Sequence, residues 1–226
     1  MYVTLANHLD EHHDVCDIAE APVSQAQVHA RRAVSVGHHL FHEGDEAHNI
    51  YEVASGLLRL TRVLENGSRQ VIAFALPGDV VGFPDGDVHH TDCDVLVAGE
   101  VISYRRQALE SGAGDPTVHT RLLQAALKEI SGMQDHFMML ARKSAPEKVA
   151  SFLMVMAERT GTFDGGHTRI VLPMKRSDIA DFLGLTIETV CRAITRLRKA
   201  RIIALEDAQT VIILDNNRLE NAALLD

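Results

Sequence analysis

Residues 177–200 carry the pattern of two short helices that meet at a glycine, and this pattern restricts the fold more than any other segment. Ser177 is suited to cap the start of the helix SDIADFLG, and Gly184 is suited to end it. Thr186 can cap a second helix that extends to about Ala200. Two helices joined by a tight glycine-containing turn form a helix-turn-helix. The segment IIALEDAQTVIIL, which follows, predicts two strands with a short turn that add a wing.

Helical periodicity separates the second helix into two faces. One face is apolar and is expected in the core, with Val190, Ala193, Ile194 and Leu197. The opposite face points outward and carries Glu188, Cys191, Arg192, Thr195 and Lys199.

Charge is distributed unevenly along the chain. The net charge is −9, yet residues 175–201 hold seven basic and three acidic side chains, a local charge of +4 that leaves −13 on the rest. An acidic body with one basic patch favours local contact with phosphates and opposes unspecific contact elsewhere. We therefore expect double-stranded DNA as the partner.

Glu188 and Arg192 lie one helical turn apart on the outward face. In a major groove an arginine can bind guanine O6 and N7 together, and a glutamate can accept a hydrogen bond from cytosine N4. The same spacing also allows an exposed ion pair between the two side chains, worth about 0.2–0.5 kcal/mol. Within a basic helix-turn-helix we favour base reading over the ion pair.

Residues 31–115 alternate short apolar runs with glycine-containing turn signals, which predicts an antiparallel β-barrel or roll. Asn66 and Gly67 predict a hairpin with a tight type I′ turn, in which both central residues need positive φ. The other strands are expected to be separated at Gly44, Gly56 and Gly78.

From Pro116 the pattern becomes helical. Six side chains spaced alternately three and four residues apart form a heptad seam, typical of a helix that pairs with a second copy of itself. The alternative is a helix that packs on its own barrel. Pro146 then begins another amphipathic helix, and Gly161 follows its end. The seam consists of Leu123, Ala126, Ile130, Met133, Phe137 and Leu140.

These segments predict an α+β protein of four parts. The parts are a flexible tail (1–30), an antiparallel β-roll (31–115), a dimerisation helix (116–144) and a winged helix-turn-helix (145–226). Three widely spaced cysteines, and the lack of a signal sequence or an apolar run of about 18 residues, favour a cytoplasmic location.

The order of roll, long helix and winged helix-turn-helix resembles the CRP/FNR family of bacterial transcription regulators from about residue 30 onward. The resemblance is carried by HEGDEAHNIYEVASGLLRL, LPGDVVGF and, most specifically, MKRSDIADFLGLTIETVCRAITRLRKARII. Glu188, Cys191 and Arg192 match the E-x-x-S-R pattern of the FNR-type branch, with cysteine in place of serine. Ile187 stands where the cAMP receptor protein carries an arginine.

This resemblance implies a homodimer that reads a TTGAT…ATCAA palindrome with Ile187, Glu188, Cys191 and Arg192, and that contacts RNA polymerase to activate transcription. Phosphate contacts are expected from the helix starts and from the flank of the second helix. The residues concerned are Arg176, Ser177, Thr186, Thr189, Thr195, Arg196 and Lys199.

Two cofactors of this family are not expected here. A buried cyclic phosphate needs a cation or donors, but no Lys or Arg occurs between Asp79 and Tyr104, where the family places its phosphate loop and arginine. The [4Fe-4S] cluster of the FNR branch needs four thiolates. The tail offers only Cys16, and Cys93 precedes the family's internal ligand by several residues. The chain is therefore most similar to the cluster-free FixK-type regulators.

Two groups of side chains have spacings that could bind a metal, although solvated histidines are the favoured interpretation. A small ligand in the roll is a further alternative. A metal-dependent cupin-like enzyme would need a His-x-His pair on a strand, which the sequence lacks, so no catalytic residues are expected. The two groups are His8, His12, His13 and Cys16, and His38, His39, His42, His89 and His90.

Cys191 predicts redox sensitivity. A thiol on the exposed face, near a helix start and beside Arg192, is expected to have a depressed pKa and more thiolate character. Oxidation to a sulfinic or sulfonic acid would place negative charge against DNA. The alternative is a small residue that only fits the groove.

Overall fold

The N-terminal half of the chain forms an antiparallel β-roll built on two long strands. A computed structural model of the chain describes residues 30–84, 86–107 and 115–224, so the predicted tail lies outside the described residues except for Ala30. Strand β6 lies between β1 and β3, β4 lies beyond β3, and β2 and β5 pair with β6 and β3. The strands are β1 (Ala30–Val34), β2 (His39–Phe41), β3 (Asn49–Val63), β4 (Arg69–Ala75), β5 (Val80–Val81) and β6 (Asp92–Arg105).

The prediction that Gly56 separates two strands is wrong, because Gly56 lies within β3. Its φ is +90°, and the β3–β6 register shifts on both sides of it. A Cβ at Gly56 would lie 2.6 Å from the carbonyl oxygen of Val97. Glycine is therefore needed for a bulge that bends a continuous strand. Gly44 and Gly78 lie in turns, as expected.

The β3–β4 hairpin is present, but its turn is not the predicted type I′. Only Gly67 has positive φ, at 77°. Its N–H donates to the Leu64 carbonyl at 2.8 Å, and the Leu64 N–H donates to the Ser68 carbonyl at 2.8 Å. The Asn66 side chain accepts from the Ser68 N–H at 2.9 Å, which stabilises this longer turn without positive φ at Asn66.

Helix α1 (Pro116–Arg142) follows the roll. Asp115 caps it by accepting a hydrogen bond from the Thr117 N–H at 2.9 Å, and Pro116 occupies the first turn. Leu122, His136 and Met139 point back to the chain's own core and are buried. The opposite side of the helix is exposed.

The C-terminal part combines helices with a four-stranded antiparallel sheet in the order β7-β8-β10-β9. The wing predicted from the sequence corresponds to β9 and β10, whereas the hairpin of β7 and β8 was not anticipated. The elements of this C-terminal part are α2 (Ala145–Thr160), β7 (Thr162–Asp164), β8 (His167–Val171), α3 (Arg176–Leu183), α4 (Ile187–Lys199), β9 (Ile203–Leu205), β10 (Thr210–Ile213) and α5 (Asn216–Ala223).

Helices α3 and α4 form the predicted helix-turn-helix. Gly184 ends α3 with φ of 63°, and Thr186 caps α4 by accepting from the Thr189 N–H at 3.2 Å. The predicted cap at Ser177 is wrong because the N-cap is Lys175, two residues earlier, and α3 begins at Arg176. Asp178 accepts a hydrogen bond from the Lys175 N–H at 3.0 Å and so replaces the predicted serine.

One apolar cluster extends from the roll into the helix-turn-helix. Phe74 of β4 contacts Phe182 of α3, with ring centroids 5.2 Å apart, and both pack on Phe152 of α2. A second apolar cluster inside the roll includes Val53, Leu58 and Cys93, and a third joins Tyr104 of the roll to Leu122 of α1. Across the described ranges, none of the helices combines the length and apolar character that a membrane crossing requires.

Candidate nucleic-acid interface

Helix α4 presents a polar and basic face to solvent. Its apolar face is buried as predicted, through Val190, Ala193, Ile194 and Leu197. Ile187, Glu188, Cys191 and Arg192 are exposed, and Thr195 is half-buried. The predicted base-reading side chains therefore share one surface that no other described residue covers.

Glu188 lies in the first turn of α4 and is fully exposed. Its pKa lies below the usual range because the carboxylate accepts hydrogen bonds from its own backbone N–H and from the Thr186 side chain, with a smaller contribution from Arg192. A carboxylate that stays ionised can only accept hydrogen bonds, and this is the property that an exocyclic amino group of a base requires.

Arg192 does not close the ion pair that its spacing to Glu188 allowed. Its Nη2 lies 3.4 Å from the Thr189 hydroxyl, a long and weak hydrogen bond. The guanidinium is exposed, and its planar donors can bind two acceptors on one base edge.

Cys191 lies at the centre of this surface and is exposed. A shallow groove of about 400 Å³ is lined by Cys191, Arg192, Thr195, Arg196 and Lys199. The Thr195 hydroxyl donates to the Cys191 carbonyl at 2.8 Å, which ties that hydroxyl to the helix itself. The thiol therefore shares its groove with three cationic side chains.

Arg176 joins the start of α3 to the wing. Its Nη2 donates to the Ala208 carbonyl at 3.1 Å, and its Nη1 is buried with no hydrogen-bond partner among the described residues. Burial lowers the pKa of Arg176, while the nearby Cys191 sulfur acts in the opposite direction. The Arg176 guanidinium is therefore held against the wing.

The remaining phosphate-contact candidates form the rim of the α4 surface. Arg196 and Lys199 are exposed on the last two turns of α4. Ser177 is half-buried in the first turn of α3, and the Thr186 and Thr189 hydroxyls lie 3.0 Å apart at the start of α4. Arg201 belongs to the basic patch of residues 175–201 but was not among the phosphate-contact candidates; it follows α4 and is exposed.

Most of the predicted dimer seam is an exposed apolar stripe along α1. The exposed fractions of its large side chains are 54% for Leu123, 52% for Ile130, 48% for Met133 and 69% for Phe137. Ala126 is half-buried, and Leu140 is partly buried against the chain's own core cluster. Two exposed residues that the heptad seam did not include, Leu127 and Met138, widen the stripe.

Several histidines of the roll stack on other rings or contact a carboxylate. His89 stacks on Phe41 with ring centroids 3.8 Å apart, and burial lowers its pKa. His39 stacks on His42 at 4.4 Å, and His42 Nδ1 lies 3.4 Å from Asp92. Across residues 30–84, 86–107 and 115–224, no group of three or more His, Cys, Asp or Glu is arranged to hold a metal ion. His8, His12, His13 and Cys16 lie outside these ranges.

Cys93 is fully buried in the roll, and burial raises the pKa of its thiol far above the usual range. A separate cavity of about 270 Å³ lies between the roll, α1 and α2 and includes Asp79, Glu129 and Arg159 in its wall. Arg159 pairs with Asp79 at 3.0 Å, and burial raises the pKa of Glu129 to about 7, with Asp79 adding to the shift.

Comparison with known proteins agrees with this architecture. Residues 31–112 match a family model described as a cyclic nucleotide-binding domain, and residues 147–222 match one described as a Crp-like helix-turn-helix domain. The nitrogen fixation regulation protein FixK of Azorhizobium caulinodans is 37% identical over 182 residues, which cover 80% of this chain and 73% of that protein.

The FixK of Rhizobium meliloti is 34% identical over 208 residues, which cover 92% of this chain and 93% of that protein. The solved structure of FixK2 from Bradyrhizobium japonicum superposes with a TM-score of 0.78 at 34% identity, covering 88% of this chain and 99% of that one. These relatives are regulators and not enzymes. The chain therefore belongs to the CRP/FNR family of DNA-binding transcription regulators, as a FixK-type member.

Proposed function

We propose that the protein is a dimeric activator that reads a TTGAT…ATCAA palindrome with one α4 helix in each half-site. The observation that carries this proposal is the uncovered surface on which Glu188, Cys191 and Arg192 lie together. Arg192 would bind a guanine, Glu188 would accept from a cytosine, and Ile187 would contact an apolar base edge such as a thymine methyl group. The similarity to FixK regulators supports a role in transcription regulation.

Phosphates on either side of the groove would be bound by the rim of this surface. Arg176, Ser177, Thr186 and Thr189 would approach the backbone with the two helix starts, where backbone N–H groups add donors. The second set of contacts would come from α4 itself, through Thr195, Arg196 and Lys199. Contact with RNA polymerase and a cytoplasmic location are the corresponding proposals for the whole protein.

The experiment for this proposal is selection of binding sites from random DNA with the purified full chain. We expect an inverted repeat whose two half-sites lie about one helical turn apart, centre to centre, and whose outer bases include TTGAT. An Arg192→Ala variant should select sites with relaxed preference at one base pair per half-site. Recovery of a single unrepeated motif would contradict dimeric reading.

Activity without a cofactor is part of the same proposal. In the segment that follows Asp79 in the roll, the first Lys or Arg is Arg105, beyond Tyr104. Cys93 is enclosed by apolar neighbours. Neither arrangement suits a cyclic phosphate or an iron-sulfur cluster. Purified protein should therefore bind its site equally well before and after addition of cyclic nucleotide.

A second candidate is control by a small ligand, favoured by the cavity that contains Asp79, Glu129 and Arg159. A ligand there would touch the roll and two helices together. Transcription reconstituted from purified components distinguishes the cofactor-free regulator from the ligand-controlled one. Activity without any additive supports the cofactor-free regulator. Activity that depends on an added extract of small molecules from cells supports control by a ligand.

We further propose that oxidation of Cys191 lowers DNA affinity. Peroxide would convert the thiol to a sulfenic acid with release of water, and further peroxide would give the anionic sulfinic acid. The new charge would face phosphates and base edges across the groove. Peroxide should weaken site binding by the wild-type protein about tenfold or more and leave a Cys191→Ser variant unchanged. Equal loss in both proteins would remove Cys191 as the cause.

A further inference from the structure

The β3–β4 hairpin of the roll is joined to α3 of the helix-turn-helix by a set of ion pairs, called here the docking network. Its members are Arg59, Arg69, Asp94, Asp178 and Asp181. The Arg59 guanidinium binds both carboxylate oxygens of Asp94 at 3.0 and 2.8 Å, and its third nitrogen donates to Asp178 at 2.7 Å. One guanidinium therefore links a strand of the roll to the DNA-binding unit.

Asp178 is the centre of the docking network. It is 1% exposed and accepts hydrogen bonds from Arg59, from Arg69 and from the Lys175 N–H at the start of α3. A buried carboxylate without such donors is strongly unfavourable. Arg59 and Arg69 supply two of its three donors, so loss of both arginines would leave a carboxylate with a single donor in the docked arrangement.

Two further contacts hold the same surfaces together. Arg69 also binds Asp181 at 3.1 Å, and the neighbouring Gln70 side chain donates to the Asp181 carbonyl. Phe74 of β4 packs its ring on Phe182 of α3 with centroids 5.2 Å apart. Ionic and apolar contacts therefore fix α3 on its roll-facing side, while no described residue covers the outward face of α4.

The covalent connection alone does not fix this orientation. Only Lys143 and Ser144 separate the end of α1 from the start of α2, and both have extended backbone conformations. A short extended joint allows a packed helical unit to swing. The angle between the helix-turn-helix and α1 is set by packing: His136 of α1 stacks on Phe182 of α3 with ring centroids 4.4 Å apart, and the docking network adds ionic contacts from β3 and β4 to α3.

We propose that Arg59 and Arg69 are positioning residues for DNA reading, which hold α4 at a fixed angle to the dimer helix so that two copies match the spacing of a palindrome without a ligand. This inference rests on the proposed dimeric reading of DNA. An orientation set before binding removes the entropy of ordering two mobile units, so binding at one half-site raises the effective concentration of the second unit at its own half-site.

The test uses an Arg59→Gln/Arg69→Gln variant of the full chain, which changes only the roll side of the contact. The control is Arg62→Gln, also on β3, because Arg62 is exposed and pairs with Glu43 within the roll at 3.1 Å. Three duplexes are titrated: a single half-site, the full palindrome, and a palindrome whose half-sites are moved apart by about two base pairs, a change that rotates one half-site away from the other.

We expect the double variant to bind the single half-site as the wild type does, because its α4 surface is intact. Its preference for the palindrome over the half-site should fall about tenfold or more. It should also tolerate the altered spacing better than the wild type. Arg69→Gln alone should lower the preference for the palindrome and raise the tolerance of altered spacing, but by less than the double variant, because Asp178 still accepts from Arg59. The Arg62→Gln control should behave as the wild type.

Unchanged ratios in the double variant would overturn the proposal. Loss of half-site binding in both Arg59→Gln/Arg69→Gln and Arg69→Gln would also overturn it, because the network would then be needed for folding and not for orientation. A wild-type protein without preference for the palindrome would instead contradict the proposed function, and it would do so before any variant is compared.

Discussion

At the scale of single residues, Arg201 holds an unusual backbone conformation for a basic side chain. Its φ is 54°, the only positive value outside glycine among the described residues. The Arg201 N–H donates to the Arg198 carbonyl at 3.0 Å, and the Ile202 N–H donates to the Leu197 carbonyl at 3.1 Å. These bonds close the end of α4 at a position where glycine is the common residue. An exposed cation is therefore kept beside α4 at some expense in stability.

Replacement of Arg201 by glycine should stabilise the protein and weaken its DNA binding. Removal of the left-handed strain, offset by the greater flexibility of glycine in the unfolded chain, should raise the free energy of unfolding by about 0.5–1 kcal/mol. Loss of the cation should lower affinity for the site and reduce its salt dependence. Urea titration and DNA binding at two salt concentrations measure both effects.

Ala200→Gly is the matched control. Ala200 has φ of −75°, a right-handed conformation in which glycine brings no relief. This variant should lose about 0.5–1 kcal/mol of stability. Stabilisation by both substitutions, or by neither, would contradict the strain assigned to Arg201.

At the scale of elements, α1 packs one side against its own chain, and no described residue covers the other side. The exposed stripe of Leu123, Ile130, Met133 and Phe137 is too apolar for a stable solvent-facing helix. A second α1 helix, related by two-fold symmetry, is the partner that the heptad spacing favours.

A Phe137→Glu variant should therefore be monomeric at micromolar concentration while its monomer remains folded. Two new carboxylates would be buried near the symmetry axis, which should weaken dimerisation by about 3 kcal/mol or more. Light scattering gives the mass, and circular dichroism checks the fold. Gln124→Glu adds the same charge on the exposed flank of α1 and should remain dimeric. A Phe137→Glu protein with the mass of a dimer would remove α1 as the interface.

The accuracy of sequence-based prediction differed among these elements for physical reasons. The helix-turn-helix was predicted because its signals are local: Gly184 and Thr186 act within their own turns. Two predictions from local signals were wrong. The start of α3 is capped through Asp178 and not through Ser177, and Gly56 lies at a bulge and not at a turn. Periodicity found most of the α1 stripe but could not show that Leu140 turns toward its own core.

At the scale of the whole molecule, the contacts that sequence could not reveal are those between distant segments. Arg59 and Asp178 are 119 residues apart in the chain, and no spacing rule joins them. Asp178 is one of the three acidic residues in the basic segment 175–201, and its negative charge is neutralised by Arg59 and Arg69 of the roll. The exposed face of α4 is therefore more positive than the local charge of +4 in residues 175–201 indicates.

The central claim is that two α4 surfaces, each with Glu188 and Arg192, read an inverted repeat together. Its most direct measurement is titration of the purified protein onto the palindrome and onto a duplex of the same bases in scrambled order, at about 0.15 M salt. We predict at least about 1,000-fold tighter binding to the palindrome. We also predict that Arg192→Ala loses about 1–3 kcal/mol of that preference at each half-site. Equal affinity for the two duplexes, with or without Arg192, would contradict the account.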